Sequence, residues 1–242
     1  MQAMIFAAGL GTRLKPLTDT KPKALVTVKS EPLIGHLMKK LKQSGCKRVV
    51  VNVHHFAEML KTYLAEHNCD MEVAVSDESD QLLDTGGGLR HAAHLLPADE
   101  PFLVHNVDIM SNLSFDALMR AHDSSSLATL VVSPRKTSRY LLFDADNRLV
   151  GWTNIQTGEV KSPYDNLDVN ACRMLAFAGI QAISPRTLQL MNEWPEKFSI
   201  IDFYLHMAAK EKIMAFVPDN FKMMDIGKLD TLAQADAFVD TL

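Results

Sequence analysis

Along the first two thirds of the chain, short unbroken apolar runs alternate with stretches of helical period. Residues 3–8 (AMIFAA), 47–53 (KRVVVNV), 71–75 (MEVAV), 101–106 (PFLVHN) and 127–133 (LATLVVS) have the length and β-branched or aromatic content of buried strands. The first of them stops at Gly9 and Gly11. Between them, Leu33, Leu37 and Leu41 recur at helical spacing behind Pro32 and ahead of Gly45, which predicts a helix with a proline start and a glycine stop. Met59, Leu60, Tyr63 and Leu64 share one face of a helix over 56–67, and further helices are predicted over 86–96 and 115–122. From about residue 139 the rhythm changes. Residues 140–152 (YLLFDADNRLVGW) predict a hairpin around Asp144–Asn147, and 175–183 (LAFAGIQAI) a strand. Helices over 184–193 and 199–210, a strand over 212–217 and a closing helix over 230–242 follow.

Strands separated by single helices require right-handed βαβ crossovers, and strands apolar on both faces require cover on both. The expected fold is therefore α/β: a Rossmann-like, mostly parallel mixed sheet with helices on both faces. No repeat and no linker-like stretch divides the sequence, so a single domain over 1–242 is expected, with parts at about 1–135 and about 136–242.

Composition narrows the functional classes. With 25 Lys+Arg against 29 Asp+Glu the net charge is -4, whereas a nucleic-acid coat needs clustered positive excess. No apolar stretch approaches the ~18–20 residues of a membrane span, and the N-terminus lacks the basic region of a secretory signal. Cys46, Cys69 and Cys172 have neither metal-site nor redox-motif spacing and read as reduced thiols. A cytoplasmic protein, monomeric or a small homo-oligomer, without nucleic-acid or membrane partners is expected.

The strongest chemical signal follows the first strand: Gly9-Leu10-Gly11-Thr12-Arg13-Leu14-Lys15-Pro16-Leu17-Thr18-Asp19-Thr20-Lys21-Pro22-Lys23. Glycines directly after a buried strand let backbone N–H groups close on an anion, and Arg13, Lys15, Lys21 and Lys23 concentrate positive charge in an otherwise acidic chain. A polyphosphate ligand fits both features. The string is neither a P-loop nor a dinucleotide fingerprint, because the second lacks its third glycine at Leu14. Asp108 follows an apolar strand at the end where open α/β sheets place ligands. The adjacent His54 and His55 point opposite ways on an extended chain and read as structural, as does Cys172, which has no partner for covalent catalysis.

The segment AAGLGTRLKPLTDTKPKALVTV resembles the signature of the sugar-1-phosphate nucleotidyltransferases, and the resemblance extends over nearly the whole chain. Leu83–Gly88 (LDTGGG) is similar to the family's second glycine loop, Phe102–Asp108 (FLVHNVD) to its strand ending in a metal-binding aspartate, Phe177–Ile180 to its sugar-pocket strand, and Met224–Gly227 (MDIG) to its second metal aspartate. Among short members the pattern is most like bacterial N-acetylmuramate-1-phosphate uridylyltransferases, and the chain ends without room for the C-terminal β-helix of longer ones. Valine stands at 107 where the family usually has glycine, and its Glu-Lys-Pro motif is missing.

The resemblance implies a Mg²⁺-dependent transfer of a nucleotidyl group from a nucleoside triphosphate to a sugar-1-phosphate, with release of pyrophosphate. The part over 1–135 would bind the nucleotide and that over 136–242 the sugar phosphate. Leu10, Gly11 and Thr12 would hold the outer phosphates through backbone N–H groups, Arg13 the departing pyrophosphate and Lys23 the α-phosphate. Gly87, Gly88 and Asn106 would serve the nucleoside, Asp108 and Asp225 the metal, and Asn170 and Gly179 the sugar phosphate. Uridine triphosphate with N-acetylmuramate-1-phosphate, in cell-wall recycling, is the leading pair. A mannose- or heptose-1-phosphate guanylyltransferase and an inactive nucleotide-sugar-binding regulator are the alternatives.

Overall fold

The computed structural model describes residues 1–242. Its elements run β1 (Gln2–Phe6), β2 (Thr27–Val28), β3 (Glu31–Pro32), α1 (Leu33–Gln43), β4 (Arg48–Val53), α2 (Ala57–Glu66), β5 (Glu72–Asp77) and α3 (Asp84–His91). They continue through β6 (Phe102–Asn106), β7 (Ile109–Ser111), α4 (Phe115–Ala121), β8 (Ser126–Ser133), β9 (Arg139–Phe143), β10 (Leu149–Asn154) and β11 (Glu159–Lys161). The chain ends with β12 (Arg173–Ile183), α5 (Arg186–Leu190), α6 (Ile200–Met207), β13 (Lys212–Phe216), β14 (Met223–Asp225) and α7 (Leu229–Val239).

One ten-stranded mixed sheet organises the molecule. β5, β4, β1 and β6 form a parallel ladder in that order. β12 lies antiparallel to β6, β8 antiparallel to β12, and β13 parallel to β8. The hairpin β9–β10 and the short β11 join through the first residues of β12, Arg173–Leu175. The chain proceeds from β1 outward through β4 and β5, then crosses to β6 on the other side of β1. The strand order therefore reverses beside β1, and a crevice opens there at the carboxyl ends of the strands.

Side-chain alternation divides the core into two layers. On β1, Ala3 and Ile5 join the layer under α1, α2 and α4, whereas Met4 joins the layer under α3, α5 and α6. Val49, Val51 and Val53 against Val50 repeat the division on β4. A smaller third core holds Leu14, Val26, Leu33, Met110, Ile226 and Ala235, and it seats α7 over the β2–β3 hairpin.

The long elements follow the sequence pattern, including the β9–β10 hairpin around Asp144–Asn147. Three departures matter. The helix expected over 86–96 starts two residues earlier at Asp84, with the three glycines inside it as expected, but ends at His91 and continues as a 3₁₀ turn over Ala92–Leu95. The helix expected over 199–210 spans Ile200–Met207, and the one over 230–242 spans Leu229–Val239. The short ladders β2–β3 and β7–β14 and the strand β11 were not anticipated, because two or three residues are too few to show a period of two.

Candidate active site

A cleft of about 550 Å³ opens over the carboxyl ends of β1, β4 and β6. The loop after β1 forms one wall. Gly11 holds φ +65° in the left-handed region, and a Cβ there would come 2.9 Å from Thr18 Cγ2 and 3.2 Å from Lys23 Cβ, so only glycine lets the loop fold back this tightly. The Gly11 carbonyl accepts from Leu14 N–H and from the Thr18 hydroxyl, both at 2.9 Å, which closes the 3₁₀ turn Thr12–Leu14. Leu10, Gly11, Thr12, Arg13 and Lys23 all line the cleft. The four cations of this segment do not act alike. Lys15 pairs with Asp19 at 3.0 Å on the surface, whereas Lys23 is buried and forms an ion pair with Asp108.

Asp108 and Asp225 meet because β14 pairs antiparallel with β7, with Asp225 opposite Ile109, and Ile226 N–H donates to the Asp108 carbonyl at 2.8 Å. Ile226, buried in the third core, fixes that register. Asp225 as a residue is exposed, but desolvation by the protein around its carboxyl raises it above the usual carboxylate range, and the neighbouring Asp108 raises it further, against the opposing charges of Lys23, Arg13 and Arg135. Gly227 makes the meeting possible: a Cβ there would stand 2.6 Å from Asp225 Oδ1 and 3.1 Å from Arg13 Nη2. Arg13, Lys23 and Asp108 thus line one end of the cleft, and Asp225, which does not line it, stands just beyond Gly227 beside Arg13 and Asp108, two cations against two carboxylates.

Asn106 lines the cleft, and a Cβ on Gly179 would meet its Nδ2 at 2.7 Å, so Gly179, at φ +72°, lets β12 close on the site. Val107 also lines the cleft but packs into the core beneath α1, α2 and α4. Gly87 and Gly88 occupy other surroundings. The N–H groups of Gly86 and Gly87 both donate to the Phe198 carbonyl, at 2.9 and 3.2 Å, and a Cβ on Gly87 would strike the Glu196 carbonyl at 2.2 Å. These glycines admit the segment 196–198 against α3, and neither Gly87 nor Gly88 lines the cleft. Asn170 lies exposed in the 3₁₀ turn before β12, its N–H bonded to Asp168 Oδ1 at 2.9 Å, and it does not line the cleft either.

The cleft floor holds residues that the sequence reading did not single out. Asn52, at the end of β4, accepts from Ala7 N–H through Oδ1 at 2.7 Å and donates from Nδ2 to Glu78 Oε1 at 2.7 Å. Glu78 Oε2 accepts from Leu83 N–H at 3.3 Å, and burial pushes the Glu78 carboxyl up. A Cβ on Gly88 would stand 2.6 Å from Glu78 Oε1, so the helix presses on this buried pair. Lys197 lines the cleft from the segment held on α3, and Asp84 and Thr85 line it from the helix start. The signal in sequence was a polar residue inside an apolar run, Asn52 in VVVNV. His54 and His55 diverge, His54 Nδ1 bonding the Glu78 carbonyl at 2.6 Å and the His55 ring lying on Phe56.

Residues 2–148 match the family model described as Nucleotidyl transferase. The chain is 30% identical over 233 residues to an N-acetylmuramate alpha-1-phosphate uridylyltransferase of Caulobacter vibrioides, across 91% of this chain and 90% of that protein. It is 34% identical over 146 residues to a mannose-1-phosphate guanyltransferase of Hypocrea jecorina, across 56% of this chain and 39% of that protein. The fold is shared with HddC from Yersinia pseudotuberculosis, solved in complex with GMP-PN, at a TM-score of 0.77 and 22% identity over 98% of both chains.

Proposed function

The chain belongs to the nucleotidyl transferase family, and on that premise we propose that it joins uridine triphosphate to N-acetylmuramate-1-phosphate, releasing pyrophosphate and forming UDP-N-acetylmuramate. The observation that carries the reading is the convergence of Arg13, Lys23 and Asp108 at one end of a cleft floored by the strand ends, with Asp225 beside them just outside its lining. A site that only held a nucleotide-sugar would gain nothing from two carboxylates facing its phosphates. The choice of uracil and muramate is supported by the likeness to the Caulobacter uridylyltransferase along nine-tenths of each chain. Such a product suits recycling of cell-wall sugars in the cytoplasm.

In the proposed reaction a phosphate oxygen of the sugar-1-phosphate attacks the α-phosphorus in line. The bond from that phosphorus to the oxygen bridging to the β-phosphate breaks, and its electron pair leaves with pyrophosphate. The attacking oxygen is already ionised, so the protein supplies alignment and charge rather than a base. The backbone of Leu10, Gly11 and Thr12 closes on the outer phosphates, and Arg13 faces the departing pyrophosphate. Lys23 passes from Asp108 to the α-phosphate as the nucleotide binds, which frees the Asp108 carboxylate. Asp108 and Asp225 fit Mg²⁺, which takes one or two carboxylates and completes its shell with phosphate oxygens and water; the raised Asp225 carboxyl is what a second carboxylate awaiting a cation would show. Bound there, the ion would neutralise charge on the reacting phosphates.

The test is pyrophosphate release from uridine or guanosine triphosphate with Mg²⁺ and a panel of sugar-1-phosphates. The highest kcat/KM is expected for uridine triphosphate with N-acetylmuramate-1-phosphate. Preference for guanosine triphosphate with mannose- or heptose-1-phosphate would replace that pair with a guanylyl transfer, the second reading, which the likeness to the Hypocrea enzyme favours. No release from any pair would point to a nucleotide-sugar-binding regulator.

A further inference from the structure

The loop from β8 to β9, Pro134–Ser138, carries positive charge that the reaction does not use. Arg135, Lys136 and, at the start of β9, Arg139 are exposed, and none of them pairs with a carboxylate. Three unpaired cations in five residues stand out in a chain whose net charge is -4. Their position is fixed by β12. The ladder between β12 and β8 shifts register between Phe177, which pairs with Val132, and Gln181, and within that stretch Gly179 takes φ +72°. Arg135 Nη2 donates to the Phe177 carbonyl, at the edge of this shift, at 3.0 Å. The same irregularity therefore presses Gly179 onto Asn106 at the cleft and anchors Arg135 beside it. Ser133, the last residue of β8, is 8% exposed and its hydroxyl has no partner.

On the sugar-phosphate reading above, a ring that leaves Asp108 past Asn106 and Gly179 would run along β12 toward the β8–β9 loop, which stands as a lip beside the cleft without lining it. One of the five N–H donors of the Arg135 guanidinium is taken by Phe177, and the rest remain for an anion. We propose that Arg135 is a specificity-determining residue that binds a second negative charge on the sugar phosphate, a carboxylate or a further phosphate. The inference rests on the sugar-phosphate reading above. It explains why the lip keeps its cations free of acidic partners: a neutral sugar would leave them without a counter-charge, and local carboxylates would compete with an anionic one. A planar guanidinium held by one backbone carbonyl is preorganised for a bidentate grip on such a group.

The experiment measures kcat/KM for charged and neutral members of matched pairs. N-acetylmuramate-1-phosphate is set against N-acetylglucosamine-1-phosphate for the carboxylate, and mannose-1,6-bisphosphate against mannose-1-phosphate for the second phosphate. Each pair is run with uridine and with guanosine triphosphate. The parent should prefer the charged member of one pair at least about tenfold, and the pair concerned identifies the group. Arg135→Ala should cut that preference about tenfold or more, chiefly through KM, and Arg135→Lys should restore part of it, since it keeps the charge and loses the fork. A parent indifferent to the second charge, or an Arg135→Ala variant that keeps the preference, overturns the proposal. A preference for the bisphosphate with guanosine triphosphate would sink the muramate reading and leave this one standing. Failure of every sugar phosphate to react would overturn both.

Discussion

At Asp225 the requirements of folding and of chemistry oppose each other. Its carboxyl is raised by desolvation and by Asp108, so the ionised form costs the fold something, though only a little because the residue stays exposed and screened. That cost is absent where the carboxyl is protonated in both folded and unfolded chains, grows as pH rises through the carboxylate range, and is complete above the folded value. Asp225→Asn should therefore melt at a higher temperature than the parent at pH 7, with the difference shrinking on acidification, while pyrophosphate release is lost. Equal melting temperatures at pH 7 would mean that the two carboxylates do not strain the fold. Gly227 makes the complementary case. Its missing Cβ is the space that Asp225 Oδ1 and Arg13 Nη2 share, so Gly227→Ala should displace one or both. A drop in kcat of roughly 10²–10³, the scale of one lost transition-state donor, is expected, with little change in urea midpoint. A Gly227→Ala enzyme of parental activity would show that neither side chain needs that position.

At the scale of elements, α3 carries three consecutive glycines, which in an isolated helix would each cost about 1 kcal/mol relative to alanine. Here the sign reverses. A Cβ on Gly87 would lie 2.2 Å from the Glu196 carbonyl and 3.0 Å from Leu83 Cβ, so the glycine exists to seat the segment that carries Lys197 and Phe198. Gly87→Ala should destabilise by about 1–3 kcal/mol, the usual range for overpacking, rather than stabilise, and urea denaturation decides between the signs. This element also shows how far the sequence could be read. The strands with unbroken apolar runs, the βαβ rhythm and the loop from Gly9 to Lys23 were all legible, because burial on both faces and the glycine–cation pattern each leave a local trace. The helix over the three glycines was legible too, but the packing that demands glycine there was not: the segment that presses on Gly86 and Gly87 lies more than a hundred residues further along the chain, and nothing local announces it. The ladder of β7 with β14 was hidden for the same reason, since three residues show no period and their partner lies far away. The place proposed for Arg135 was unreadable because it depends on a hydrogen bond to Phe177, 42 residues along the chain.

Across the whole molecule, the two carboxylates are brought together by long-range structure alone. Asp108 follows β6 in the parallel half, Asp225 ends β14 near the C-terminus, and only the β7–β14 ladder with buried Ile226 joins them. If they hold one ion, the molecule has a single electrostatic unit assembled from both halves of the chain, and its parts should fail together. Asp108→Asn and Asp225→Asn each keep shape and hydrogen bonding but remove a charge that would hold the cation. Each single variant should lose most of its pyrophosphate-releasing activity and need more Mg²⁺ for half-maximal rate, with partial recovery by Mn²⁺, which binds such ligands more tightly. The double variant should be far less impaired than the product of the two losses, as for residues that act as a unit. Lys23 sharpens the test, because it is paired with Asp108 and its charge opposes the rise of the Asp225 carboxyl. In Lys23→Ala the Asp225 carboxyl should titrate higher still, and in Asp108→Asn lower, both readable by carboxyl carbon NMR. Losses that multiply in the double variant, together with an Asp225 titration unmoved by either change, would mean two separate carboxylates and no common site.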